Sequence, residues 1–159
     1  MKNLKHYLNE GLLSRKVSTK TPIRYRPKDR PELIDNIVEL LKKGITDLNC
    51  IDVFNITDMS YLFGDVNNYI EVKEIDISEW DVSKVFNMAH MFEACEMFNS
   101  DLSKWDVSNV QWSTAMFRGC KEFNSDLSKW DVSKLYNMTC MFDRCDTLKK
   151  NNKIPTWYT

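Results

Sequence analysis

A repeat of 25 residues is the feature that most restricts how this chain of 159 residues can fold. Residues 77–92 read ISEWDVSKVFNMAHMF, 102–117 read LSKWDVSNVQWSTAMF, and 127–142 read LSKWDVSKLYNMTCMF. A worn copy, LNCIDVFNITDMSYLF, occupies 48–63, and the four extra residues that follow it predict a loop over 64–73. One such unit cannot bury its apolar side chains alone, so the repeat predicts a stack of units around a shared core.

Two apolar patterns recur within each unit. Four residues of the first half have the spacing of a leucine-rich-repeat strand: Leu102, Trp105, Val107 and Val110. Four residues of the second half have the i, i+3, i+4, i+7 spacing of one helix face: Met88, Met91, Phe92 and Cys95. We therefore predict an α/β fold, a leucine-rich-repeat-like solenoid of short parallel strands and short helices, with Trp, Met, Phe and Cys columns in its interior.

The ends of the chain predict three regions. Residues 31–44 have the pattern of a capping amphipathic helix, with Pro31 in its first turn and Gly44 just past its end. Residues 1–30 form a basic N-terminal arm, in which 3–13 have the pattern of a second short helix. Residues 45–159 form the repeat region, with about four units and a C-terminal cap in which Ile154 and Trp157 keep the Leu-to-Trp spacing.

Charge is distributed unevenly. Residues 1–30 contain nine basic and two acidic residues, a net charge of +7, which leaves −8 for the remainder of a chain of net charge −1. Such asymmetry indicates an arm that contacts a protein partner, its own acidic body or nucleic acid, or that is simply solvated. The arm supplies eight candidate partner-binding residues: Arg15, Lys16, Lys20, Arg24, Tyr25, Arg26, Lys28 and Arg30.

Two further candidates for partner binding are aromatic residues where the repeat pattern breaks. Phe54 stands where the other units have Ser, and Trp112 stands where they have Asn. Trp112 is followed by Ser113 in place of a methionine, so its ring either is exposed as an interface anchor or folds inward to fill the lost volume. The column of Asp52, Asp81, Asp106 and Asp131 either binds a cation or a basic partner, or accepts bonds from nearby Ser, Lys or backbone groups.

Enzyme motifs are absent from the sequence. It contains no HExxH, P-loop, GxGxxG or serine nucleophile motif, and His6 and His90 are its only histidines. We therefore predict no catalytic residue, no cofactor and no metal site, and we place His90 on the surface. The five cysteines lack a paired CxxC motif, and Cys95, Cys120 and Cys145 are predicted to be buried free thiols.

Targeting signals are likewise absent. No secretory signal is visible, and no apolar run approaches the ~18 residues of a membrane span. An odd number of cysteines without such a signal favours reduced thiols. The expectation is a cytoplasmic or virion-associated protein that does not insert into a membrane.

The unit FNSDLSKWDVSNV, followed by MF and Cys, resembles the BspA-like leucine-rich-repeat family over residues 45–148. This resemblance implies a parallel-stranded solenoid, as in mycoplasma-type surface proteins, and a binding or adhesion role. Residues 1–17, MKNLKHYLNEGLLSRKV, are similar to short leaders on some proteins of tailed phages of gut bacteria. That similarity implies a phage-encoded structural protein, packaged in or attached to a virion.

We predict a non-enzymatic protein-binding or structural assembly module, in which a repeat platform is tethered by the basic arm. The alternatives are a BspA-like surface adhesin and a virion component. Nucleic-acid binding through the arm ranks below these, because Tyr25 is the one aromatic residue among the basic residues of 15–30.

Overall fold

A computed structural model describes residues 22–158 of the chain. Three short helices occur in that range: α1 (Arg30–Lys42), α2 (Leu62–Asn67) and α3 (Asp146–Lys150). The predicted helix at 3–13 lies outside the described residues. Turns connect most of the remaining chain.

Helix α1 forms where the capping pattern predicts a helix. The side chain of Asp29 accepts a bond of 3.0 Å from the N–H of Glu32, and Pro31 occupies the first turn, where a missing N–H has no cost. The helix ends before Gly44, whose φ of 73° is a conformation that glycine adopts without strain. Leu33, Ile37 and Leu40 are buried, so one face of α1 belongs to the core.

The predicted α/β leucine-rich-repeat solenoid is wrong. Within residues 22–158 no run of residues forms a strand, and no sheet is present. Five isolated parallel bridges take their place: Tyr25 with Ile51, Asp47 with Asp76, Asp58 with Asn87, Asn87 with Trp112, and Trp112 with Asn137.

Frequent turns prevent strands in the first half of each unit. The N–H of Trp105 bonds to Leu102 O at 3.1 Å, and the N–H of Val110 bonds to Val107 O at 2.9 Å. Between them, the Asp106 carboxylate accepts the Ser108 N–H at 3.1 Å, which is an Asx turn. The residues with strand-like spacing are buried as predicted, but the chain turns too often between them for an extended segment to form.

Left-handed backbone residues prevent a helix in the second half of each complete unit. Two columns of residues have positive φ: Tyr61, His90, Ala115 and Cys140, and Ala94, Gly119 and Arg144. A residue in this region cannot continue a right-handed helix. The residues with helical spacing therefore form tight turns. Among the four copies, only the worn one has a helix in its second half, α2. This helix includes the first residues of the loop predicted at 64–73.

The second halves of successive units bond to one another along the bridge ladder (57–63, 86–92, 111–117 and 136–142). Met88 N donates to Trp112 O, and His90 N donates to Thr114 O, each at 2.8 Å. The next pair of units repeats this register, with Ser113 N to Asn137 O at 3.0 Å. These N–H groups would bond within the unit if it formed a helix. They instead donate to the neighbouring unit, and these bonds hold the units together.

The predicted interior columns are confirmed. Phe63, Phe92, Phe117 and Phe142 stack one above another, with ring centroids 5.1, 5.5 and 5.6 Å apart. The indole N–H groups of Trp80, Trp105 and Trp130 each donate to a carbonyl of the preceding unit at 3.0–3.1 Å. Burying one such aromatic side chain contributes about 1.5–3 kcal/mol, and the internal bond removes the cost of burying its N–H.

The C-terminal segment continues the tryptophan column with the predicted shift. The Trp157 indole donates to Leu127 O at 3.1 Å, and its ring stacks on Trp130 at 6.5 Å. Tyr158 packs edge-on against Phe142, with centroids 5.0 Å apart. Residues 146–158 therefore cover part of the last unit.

Candidate functional site

The described part of the arm lies against the repeat body. Arg24 and Tyr25 donate their backbone N–H groups to Cys50 O at 2.8 and 3.2 Å. The Arg26 guanidinium lies 3.8 Å from the Asp52 carboxylate. These contacts attach the arm to the first copy of the repeat, which is the interpretation in which the arm binds its own body.

The other arm candidates differ in their contacts and exposure. Arg30 pairs with Asp65 of α2 at 2.5 Å, and the Lys28 N–H donates to Glu32 Oε2 at 3.0 Å, so both positions help to start or anchor α1. Arg24 and Lys28 expose their side chains. The other three arm candidates lie outside the described residues: Arg15, Lys16 and Lys20.

Phe54 is half-buried and is engaged by a neighbouring unit. The Lys84 ammonium lies 3.6 Å from the centroid of the Phe54 ring, a cation–π contact worth about 0.5–1 kcal/mol at an exposed site. The ring therefore links two units, which reduces its value as a contact for a partner.

The aromatic strip (Phe86, Trp112 and Tyr136) is the most exposed apolar feature of the bridge ladder. Trp112 is 40% exposed and meets Phe86 edge-on, with ring centroids 5.8 Å apart. Tyr136 is 79% exposed and follows one unit later. Of the two alternatives for Trp112, the structure shows the exposed one. The sequence analysis did not identify Phe86 and Tyr136. Both precede the repeat position that Trp112 occupies in the middle unit.

The buried position next to Trp112 is occupied by a serine with an internal hydrogen-bond partner. Ser113 replaces the methionine of the other units and is buried, with its hydroxyl 3.3 Å from Asn137 O, to which it donates. That bond satisfies the buried hydroxyl, and the ring of Trp112 remains at the surface beside Phe86.

The predicted aspartate column is used in turns. The carboxylates of Asp81, Asp106 and Asp131 accept the N–H of the serine two residues on, at 3.0–3.2 Å. The Ser133 N–H and hydroxyl bond to the Asp131 carboxylate and lower its pKa below the ordinary value. Local bonds thus account for these carboxylates, and within 22–158 no group of three or more His, Cys, Asp or Glu residues is arranged to hold a metal.

A second column of Asx turns was not predicted from the sequence. Asp101 and Asp126 accept the N–H groups of Ser103 and Ser128, each at 3.0 Å. Bonds from the backbone N–H and side chain of Ser103 hold the pKa of Asp101 below its usual value. The repeated FNSDLS motif contains the necessary Asp-x-Ser spacing, so this column could have been found.

The buried cysteines are inert thiols. Burial raises the pKa of Cys95 to about 12 and that of Cys145 to about 12. The Cys120 and Cys145 Sγ–H groups point at the carbonyls of Phe92 and Phe117, at 3.0 and 2.9 Å. A thiol that stays protonated is a poor nucleophile and a poor metal ligand, so this column serves packing.

His90 has partners that the sequence prediction missed. Its ring stacks on Tyr61 at 4.5 Å, and its Nδ1 lies 2.6 Å from Glu93 Oε2. Arg118 of the next unit bonds the other carboxylate oxygen of Glu93 at 3.2 Å. The cluster connects three units.

An open groove of about 470 Å³ lies on another side of the stack. Four carboxylates contribute to its lining: Asp47, Glu74, Asp76 and Glu122. This charge repels phosphate groups, so the groove is unsuited to nucleic acid.

The geometry defines a class: a protein of stacked, turn-rich repeat units with a buried aromatic core and an exposed aromatic strip. Residues 34–157 match the family described as Mycoplasma protein of unknown function, DUF285, and the chain belongs to that family. This match agrees coarsely with the BspA-like resemblance seen in the sequence. Comparisons with curated proteins and with solved structures gave no match. Among residues 22–158, no helix combines the length and apolarity that a membrane crossing requires.

Proposed function

We propose that this protein is a non-enzymatic module of the BspA-like type that binds a protein partner through the aromatic strip. The observation that carries the proposal is the exposed, edge-on pair of Phe86 and Trp112, which occurs where the repeat departs from its consensus. Exposed tryptophan and tyrosine side chains are the commonest anchors of protein interfaces.

The surroundings of the strip suit a protein surface. The amide-bearing residues Asn87, Gln111 and Asn137 lie beside the aromatic rings along the bridge ladder. Apolar anchors surrounded by neutral hydrogen-bonding groups are the usual composition of an interface core and its rim. The repeat platform holds these side chains in a fixed register, which lowers the entropy lost on binding.

We also propose that the basic arm tethers the protein to a larger assembly, through fewer residues than the charge pattern indicated. Because residues 24–26 pair with the first repeat copy, we place the tether in residues 1–21, which carry five basic residues and one acidic residue. Family membership favours a partner at a cell surface, as in the adhesin alternative. The virion alternative stays a prediction that rests on residues 1–17.

The test replaces Trp112 with the photo-crosslinking residue benzoylphenylalanine and uses the same replacement at Tyr69 as a control. Tyr69 is 66% exposed and lies outside the aromatic strip. We expect a partner that crosslinks from position 112 and not from 69. Once purified, that partner is expected to bind Trp112→Ala at least tenfold more weakly than wild type by calorimetry, with Tyr69→Ala unchanged.

Equal binding of the two alanine variants would overturn the role of the strip. A glycan ligand that binds wild type and is lost in Trp112→Ala would overturn the assignment to a protein partner. Removing residues 1–21 separates the tether from the platform: we expect calorimetric binding to persist and incorporation into the native assembly to fall.

A further inference from the structure

The last repeat unit leaves inward-facing residues partly uncovered. Val82, Val85 and Met88 of the first complete unit are buried, at no more than 1% exposure. Their equivalents in the last unit pack against the core yet are only partly buried: Val132, Leu135 and Met138. The C-terminal segment covers Trp130 and Phe142, whereas this uncovered strip (Val132, Leu135 and Met138) is only partly buried.

The hydrogen bonds of the bridge ladder stop at the same place. In earlier units the N–H groups of Met88 and His90 donate to carbonyls of the next unit. The equivalent N–H groups of Met138 and Cys140 have no acceptor among the described residues. Unpaired ladder groups beside apolar side chains can pair with a further segment that has the backbone conformation of a repeat unit.

We infer that residues 136–140 form a docking edge for a peptide segment of the protein partner that adopts the turn-rich conformation of a repeat unit, an inference that rests on the proposed function. The interface is continuous with the ladder that joins the repeats, and this continuity defines its occupant. The segment donates one N–H to Tyr136 O, as Tyr136 N donates to Gln111 O at 2.9 Å. Its carbonyls one and three residues further on accept the N–H groups of Met138 and Cys140.

The same register specifies the side chains of the segment. Within the stack, Leu135 packs in the column of Val85 and Val110, and Met138 in the column of Met88. A docked segment therefore presents two apolar side chains three residues apart, one over Leu135 and one over Met138. Main-chain bonds supply affinity in this mode of recognition, and the apolar positions supply selectivity.

The repeat itself provides a probe of known sequence. A fluorescein-labelled peptide of residues 83–92, SKVFNMAHMF, contains the required Val85 and Met88 spacing. We expect it to bind the full protein in a fluorescence polarisation titration. Methylation of the peptide N–H at Phe86, which removes the donor to Tyr136 O, is expected to weaken binding at least fivefold, and the peptide with Val85→Ser and Met88→Ser is expected not to bind.

Protein variants locate the edge. Met138→Lys and Leu135→Ser are expected to weaken peptide binding at least tenfold, whereas Tyr69→Ser binds as wild type does. Circular dichroism and the thermal midpoint of each variant establish that it is folded. If Leu135→Ser does not fold, Met138→Lys still tests the edge, because the aliphatic stem of lysine keeps part of the packing of methionine.

Equal binding of the N-methylated peptide, or unchanged binding to folded Met138→Lys, would overturn the inference. Self-association of the protein that the peptide displaces would assign the edge to a second copy of this chain and would also overturn it. The proposed function has a separate outcome, because it fails when the partner binds Trp112→Ala and wild type equally, whatever the peptide does.

Discussion

The two ends of the repeat stack are finished differently. At the N-terminal end, α1 and residues 24–26 pack on the worn copy, whose inward residues Val53, Ile56 and Met59 are buried as deeply as those of interior units. At the C-terminal end, residues 146–158 cover the tryptophan and phenylalanine columns but leave Leu135 and Met138 only partly buried. A repeat protein can thus seal one end for stability and leave part of the other available for contact.

The largest difference between the ends is expected in a pair of core truncations. Ile37→Ala removes a fully buried side chain from α1 and should lower the free energy of unfolding by about 2–5 kcal/mol. Leu135→Ala removes a partly buried side chain and should cost about 1 kcal/mol, because less apolar surface is lost and no closed cavity forms. Equilibrium unfolding in urea measures both, and equal losses would contradict the comparison.

A smaller difference is expected along the tryptophan column. Trp105→Phe leaves Ile77 O without its indole donor in a buried site and should destabilise by about 2–3 kcal/mol. Trp157→Phe removes the equivalent bond to Leu127 O where the ring is half-buried, and should cost about 1 kcal/mol because water can replace the donor. Thermal unfolding of the two variants gives the ranking, and a reversed order would mean that the C-terminal segment is the tighter seal.

The smallest difference is expected for the Asx turns. The folded-state pKa values of Asp101 and Asp131 lie below the unfolded value of about 3.9, so their contribution to stability is complete above about pH 4 and is lost as pH falls through the lowered values. Asp101→Asn and Asp131→Asn should each slightly lower stability at pH 7, where the carboxylate contribution is complete, and flatten the fall in unfolding free energy below pH 4. Asp101 also accepts the hydroxyl of Ser125 from the next unit at 3.1 Å, whereas Asp131 is bonded by its own Ser133, so the flattening should be larger for Asp101 in a pH series. Equal flattening at the two positions would show that the bond from the neighbouring unit adds nothing to the turn.

Burial in this fold was predictable, while backbone conformation was not. The columns of Trp105, Phe92 and Cys95 are interior as their spacing indicated, since apolar side chains are buried in almost any stacked arrangement. The strands and repeat helices were predicted wrongly, because the same spacing fits a chain of tight turns. His90 and Ala94 decide the matter by adopting positive φ, which no apolar pattern reveals in residues other than glycine.

The candidate site shows the same division. Trp112 was identified because it breaks the repeat, and its exposure was one of two stated alternatives. Tyr25, Arg26 and Arg30 were candidate partner-binding residues, with contact to the chain's own body as a stated alternative, and the structure pairs them with the first copy of the repeat and with α2. A basic net charge indicates that an arm binds an acidic surface, but it does not show whether that surface belongs to the same chain or to another molecule.

The constant register of the bridge ladder has a consequence for how such proteins diversify. Every junction between complete units uses the same donors and acceptors, so a tandem duplication or loss of one whole unit inserts or removes a layer without altering either terminus. Each added layer contributes one more position equivalent to Phe86 or Trp112. Recombination within the gene can therefore lengthen or shorten the contact surface in steps of a single layer, and point substitutions at those positions can change what it recognises.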